Sequence, residues 1–145
     1  MTGRRLGITG GQFALFASLY AIQGIVIAYF FNFNQGYLAA AGLTPGTVSL
    51  VQSLALIPLV LRFLGGPLSD RFNLLGLGHR RPYIVLGLTL QGLGLIGLSR
   101  VNPGAHLTTF TALAVLTVLG LALYDTATDG FILDSTTAEN RPRVQ

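Results

Sequence analysis

From Leu6 to Leu61 no position carries a charge. A membrane-spanning helix takes about 20 residues, so this run is too long for one span and suits two with a turn between them. The turn reads at Gly42-Leu43-Thr44-Pro45-Gly46. Thr44 suits a helix N-cap, and Pro45 suits the first helical position, where a missing N–H costs nothing. The first span is therefore expected over residues 10–38, tilted or protruding beyond the hydrocarbon, and the second over residues 45–68. A polar stretch, residues 69–81, follows, and Pro82 again suits a helix start, which places a third span over residues 82–99. Arg100-Val101-Asn102-Pro103-Gly104 is a turn by composition. The fourth span is expected over residues 105–134. It is uncharged through Tyr124 and continues as helix through Asp134, before a polar tail at residues 136–145.

Composition narrows the class. Of 145 residues, 51% are hydrophobic and 10% charged, against roughly 25% charged in an ordinary soluble domain. Such an apolar chain is not disordered. The absence of Cys excludes a disulfide scaffold, a thiolate zinc site and a cysteine nucleophile. The isoelectric point near 10.1 would suit nucleic acid, but the nine arginines are scattered at wide intervals with no dense basic face, so no nucleic-acid partner is expected. The chain reads as an all-α integral membrane protein with four transmembrane helices, and its first partner is the lipid bilayer.

Orientation follows from the arginines. Arg4 and Arg5 precede the first span, Arg71, Arg80 and Arg81 lie between the second and third, and Arg141 and Arg143 follow the fourth. With four spans these regions share one side, and Arg100 is alone on the other. The positive-inside rule then puts both termini in the cytoplasm, with the chain in the plasma (inner) membrane. The apolar N-terminal stretch far exceeds a signal-peptide core of roughly 7–15 residues and ends in no small-x-small cleavage site, so it is expected to be retained as the first span.

Three charges fall inside the expected spans: Arg62, Asp125 and Asp129. Each costs about 2.5–3.5 kcal/mol near the bilayer centre. At a helical rise of about 1.5 Å per residue, Arg62 lies about 24 Å beyond Gly46 and Asp125 about 28 Å beyond His106. Both measures start from the outer side, so all three charges belong to the cytoplasmic half. Asp125 and Asp129 share a helix face, and an Arg62–Asp125 pair, with Asp129 as a second partner, offsets much of the cost. Two readings are open. The cluster pins the second span to the fourth, since buried ion pairs often serve geometry, or it forms a proton- or substrate-linked site, the default reading of an intramembrane carboxylate.

Small residues recur along the first span at Gly10, Ala14, Ala17, Ala21, Gly24 and Ala28, a stripe expected to let another helix approach closely. Gly87, Gly92, Gly94 and Gly97 in the third span are similar but less regular. The first span is also a candidate to line a cavity, with Tyr20, Gln23, Asn32, Asn34 and Gln35 as its polar residues. Gly92-Leu93-Gly94-Leu95-Ile96-Gly97 matches a dinucleotide-binding pattern, but it lies inside an apolar span with no acid about 20 residues on. Asp125-Thr126-Ala127 has no second matching loop of the kind an aspartic protease needs. No Ser/His/Asp set and no metal-ligand cluster appears, so no enzyme, no cofactor and no metal site is expected. His79 and His106 are ordinary interfacial residues on opposite sides.

One further cluster carries a resemblance. Gly66-Pro67-Leu68-Ser69-Asp70-Arg71, followed by Gly78-His79-Arg80-Arg81, is a charged clamp at the membrane surface. Asp70 suits a facing helix N-terminus, and the arginines can pair with Asp134 or Glu139. The stretch resembles the signature G-x-L-[AS]-D-[RK]-x-G-[RK]-[RK] between the second and third helices of the major facilitator superfamily, with an extended spacer at residues 72–77. Leu19-Tyr20-Ala21-Ile22-Gln23-Gly24 is similar to the first-helix motif of the AmpG, acetyl-CoA and folate–biopterin transporter branch. Asp125-Thr126-Ala127-Thr128-Asp129-Gly130 is similar to its fourth-helix motif. Arg81-Pro82-Tyr83-Ile84 and Glu139-Asn140-Arg141-Pro142-Arg143-Val144 look more like the PucC-like bacteriochlorophyll-delivery branch.

The resemblance implies twelve helices in two halves, alternating access and proton coupling, with residues 1–145 as the N-terminal part of one half. It makes Asp70, Arg71, Arg80, Arg81 and Asp134 a conformational latch and places Gln23, Asp125 and Asp129 near the central cavity. The expected function is carriage of a small organic solute, with protons, in company with the remaining transporter helices or other membrane subunits. The alternative is a non-transporting scaffold or assembly subunit of a larger complex, one that handles pigments.

Overall fold

The computed structural model describes residues 10–64 and 80–135, and every element within them is helical. Helix α1 (Gly10–Ala28), one π turn (Tyr29–Phe33) and α2 (Asn34–Ala40) form span 1. Span 2 is α3 (Pro45–Val60), closed by a 3₁₀ turn (Leu61–Leu64), span 3 is α4 (Arg81–Leu98), and span 4 is α5 (Leu107–Ser135). Each is long and apolar enough to cross a membrane, over Phe13–Ala40, Pro45–Phe63, Arg81–Leu98 and Leu107–Ile132. The all-α, four-span reading of the sequence therefore holds.

The turn between spans 1 and 2 forms where its residues demand it. Gly42 has φ 84°, a left-handed position that suits glycine. The N–H groups of Gly42 and Leu43 bond back to the carbonyls of Ala39 and Leu38, which closes span 1 in a Schellman motif. Thr44 is extended (φ −67°, ψ 152°), and its hydroxyl accepts from the Thr47 N–H at 3.4 Å. Span 1 ends at Ala40, two residues beyond its expected limit. Span 4 begins at Leu107 rather than at residue 105, because Asn102 holds a turn. Its side-chain oxygen accepts from the Gly104 N–H at 2.9 Å, and its carbonyl accepts from Ala105 and His106.

Span 2 is α-helix as far as Val60 and 3₁₀ from Leu61 to Leu64, and the rest of its expected range, residues 65–68, lies outside the described residues. Pro58 lies inside the α-helix. Proline has no N–H to give the Leu54 carbonyl four residues back, and the chain tightens into a 3₁₀ turn three residues further on. Residues 65–79, which include Asp70 and Arg71, lie outside the described residues.

Helix α5 is the centre of the packing, with α4 and α3 along it and α1 across it, while α2 leans on α3. The α4–α5 seam is closed by glycine. A Cβ on Gly87 would come within 2.6 Å of the Gly120 carbonyl and 2.7 Å of the Tyr124 nitrogen, and one on Gly120 would meet the backbone of Gly87 and Gln91. Gly94 lies against Thr117, and Gly97 against Leu113. The two backbones touch, as small residues in membrane helices permit.

The small-residue stripe of span 1 meets no neighbour among the described residues. Gly10, Ala14, Ala17, Ala21 and Gly24 are exposed, and a Cβ on Gly10 or Gly24 would meet nothing within 4 Å. The face that packs on the rest of the described residues is instead Phe16, Leu19, Val26 and Phe30. Large apolar side chains bury more area than glycine does, so they win the contact.

Candidate functional site

The site begins where the α-helix of span 2 ends. The 3₁₀ turn after Pro58 sends Arg62 across to span 4, where its Nη1 stands 2.9 Å from Asp125 Oδ2. Thr126 of span 4 secures the same turn from the other side, its hydroxyl donating to the Arg62 carbonyl at 3.1 Å as well as to Ala122 in its own helix at 3.0 Å. That hydroxyl covers a carbonyl near the end of span 2, which water cannot reach in a bilayer. The expected Arg62–Asp125 pair therefore forms. Its partners differ in setting: the Asp125 side chain is 5% exposed and that of Arg62 54%.

Span 1 supplies the rest. Tyr20 and Gln23 lie three residues apart on α1, and Asp125 and Asp129 lie four apart on α5, so each pair shares a face. The two rows run antiparallel and interlock. Tyr20 donates its hydroxyl to Asp129 Oδ1 at 2.8 Å, and the Gln23 side chain lies beside Asp125. An apolar floor lies beneath. Phe16 and Ile132 are buried together, and the Phe16 and Phe131 rings meet edge-on at 5.9 Å. Asp129 itself is exposed. The cluster thus contains one carboxylate closed by an arginine and one that is open beside a phenol. A fixed ion pair holds helices in register. An open carboxylate within hydrogen-bond reach of a hydroxyl can exchange a proton or accept a ligand's donor.

Arg80 and Arg81, expected in the latch, meet span 4 one turn further on. The Arg80 guanidinium lies across Gly130, where a Cβ would sit 2.5 Å from its Cζ, and Arg81 stands 5.9 Å from the centre of the Phe131 ring, a cation–π distance. Arg80 and Arg81 of the loop cluster and the intramembrane cluster, separate in the sequence reading, are therefore neighbours along one helix. Asp134 is in the last turn of α5, with its side chain outside the described residues, as are Asp70 and Arg71. The sequence signal for this meeting is Gly130, which alone leaves room for a guanidinium beside Asp129.

Sequence reasoning passed over a second polar site. Asn34 of span 1 is fully buried and donates to Gln52 Oε1 at 2.9 Å, and Gln52 Nε2 donates to the Phe30 carbonyl. Asn34 was among the cavity candidates, but Gln52 was not. The available signal was an amide in the middle of an otherwise apolar span. Asn32 and Gln35 are exposed, and Asn32 bonds only to Ala28 of its own helix, at 3.1 Å.

Residues 8–145 match the sequence profile of the Major Facilitator Superfamily. The chain belongs to that superfamily. Facilitators are integral membrane proteins, and this one is too. It is 33% identical over 127 residues to a probable folate-biopterin transporter 9, chloroplastic, of Arabidopsis thaliana, covering 86% of this chain and 23% of that protein. It is 32% identical over 117 residues to a probable folate-biopterin transporter 8, chloroplastic, of the same plant, covering 79% and 21%. A putative transporter AmpG 4 of Rickettsia conorii is 27% identical over 116 residues, covering 78% and 28%. The chain spans about a quarter of the length of these curated relatives. No solved structure gives a significant match. The relatives come from the AmpG and folate–biopterin side of the resemblance. The two motifs that pointed to that branch are the ones the fold brings together: Tyr20 meets Asp129 and Gln23 meets Asp125.

Proposed function

We propose that the chain is the N-terminal part of a facilitator half that moves a small organic solute across the plasma (inner) membrane by alternating access, coupled to protons. The observation that carries this reading is the Tyr20–Asp129 hydrogen bond, made between two family motifs and beside a buried ion pair. In this account Arg62 and Asp125 hold span 2 against span 4, and Asp129 exchanges the proton or meets the solute. Asp70 and Arg71, with Arg80, Arg81 and Asp134, latch one state of the cycle at the cytoplasmic surface. The distribution of arginines supports cytoplasmic termini. Further helices, in the same chain or in other membrane subunits, complete the cavity. The names of the plant relatives make pterins the first solutes to try.

The test compares cells making the parent chain, together with the helices that complete the cavity, with cells that differ only by Asp129→Asn. Accumulation of a solute panel that begins with folate and biopterin is followed with and without an imposed pH gradient. Gradient-driven accumulation is expected in the parent and lost in the variant at equal membrane levels. Normal accumulation by the variant would overturn the role given to Asp129.

A further inference from the structure

Span 1 is not continuous α-helix. Between Tyr29 and Phe33 it loosens into a π turn, and the Asn34 N–H reaches back five residues to the Tyr29 carbonyl. Where the ordinary four-residue register resumes, one carbonyl loses its backbone donor. The next in line after Tyr29 is Phe30. That carbonyl is the one to which Gln52 Nε2 donates from the middle of span 2, while Gln52 Oε1 accepts from Asn34. Both amides are buried. Inside a bilayer no water replaces a missing donor, so Gln52 is what allows the turn to persist.

The turn has a positional consequence. Val26, Phe30, Asn34 and Leu38 are all buried, at steps of four residues. Four residues of α-helix overshoot a full turn by about 40°, so three such steps on a regular helix would drift by about 120°. The looser turn absorbs part of that drift. It also joins two segments with different neighbours, since α1 lies against α5 and α2 against α3. Closing the turn while α2 stays on α3 would rotate α1 by about 100°, the angle of one residue. That rotation would carry Tyr20 and Gln23 away from Asp129 and Asp125.

We infer that Gln52 is a positioning residue for the Asp125–Asp129 site: by holding the π turn it fixes which face of span 1 meets span 4. The inference rests on the proposed function only for what that site does. Its test is independent of transport. The chain has no cysteine, so a Phe16→Cys, Ile132→Cys pair reports the α1–α5 contact through a short bifunctional thiol reagent, applied to the full chain in native membranes. Cross-linking is expected in this background and falls to background level when Gln52→Leu is added. It returns when Asn32 is also deleted, because a turn shortened by one residue becomes α-helical, gives the Phe30 carbonyl a backbone donor and needs no Gln52. Parent-level cross-linking in the Gln52→Leu chain would overturn the inference. So would failure of the deletion to restore it, which would mark the loss as general unfolding. Loss of the uptake result with the cross-linking pattern intact would remove the proposed function and leave Gln52 in its role. The reverse would remove Gln52 alone.

Discussion

Spans 1 and 3 both carry small residues at close spacing, yet among the described residues Gly87, Gly94 and Gly97 of span 3 are covered, while Gly92 and the glycines of span 1 are not. The difference lies in which face of each span meets span 4. Span 4 presents Gly120 opposite Gly87, and two glycines in register let the backbones meet. Span 1 turns another face to the same helix, where Phe16, Tyr20 and Gln23 meet Ile132, Asp129 and Asp125, and its small residues point away from span 4. One face of span 4 is thus a closed seam, and the other is a polar contact with an open carboxylate.

The sharpest way to break this comparison is to fill the two kinds of glycine in turn. Gly120→Leu must force the backbones of α4 and α5 apart, and we expect a loss of about 3 kcal/mol or more of stability, at or above the upper end of ordinary overpacking. The same change at Gly24 meets open space and should cost less than about 1 kcal/mol, chiefly through the change in helix environment. Denaturation of the purified protein in mild detergent, read by circular dichroism, measures both. Equal losses would mean that the two faces do not differ as described.

A smaller effect is expected at the charged edge of the polar face. Arg62→Leu leaves Asp125 buried without its partner, which costs about 3–5 kcal/mol where both ions are fully buried. Arg62 is half exposed, so a loss of about 2 kcal/mol is the expectation after allowing for that exposure. The double change Arg62→Leu, Asp125→Leu should recover most of it, since an apolar pair often replaces an ion pair without loss. A double-mutant cycle on the same denaturation signal checks this. A double variant weaker than Arg62→Leu alone would assign the pair a function in stability beyond mutual neutralisation.

How much of this was legible beforehand depends on the kind of signal. The four spans follow from uninterrupted apolar runs, and Thr44-Pro45 marks a boundary by its own chemistry. The Arg62–Asp125 pair was legible because charges in an apolar segment must find each other. Pro58 was visible, and its effect on the end of span 2 could have been weighed. The π turn was not legible, because nothing in Tyr29-Phe30-Phe31-Asn32-Phe33 requires it without the donor that Gln52 brings from another helix. The meeting of Arg80 with Gly130 depends on how the chain returns after span 2, a long-range fact that local pattern does not hold. The stripe in span 1 meets no neighbour among the described residues, because spacing shows which residues share a face but not what that face meets.

The central claim is that the two aspartates divide the work, with Asp125 fixed by Arg62 and Asp129 open to exchange. Infrared difference spectroscopy of the full chain in lipid, stepped between acidic and neutral pH, tests this most directly, because the carbonyl band of a protonated carboxyl shows which group takes up a proton. The account predicts that Asp129→Asn removes one component of the carboxyl band, a component that Arg62→Leu, Asp125→Leu keeps, while Asp70, Asp134 and Glu139 contribute to the band in every variant. A band unchanged by Asp129→Asn that loses a component with Asp125 would contradict it.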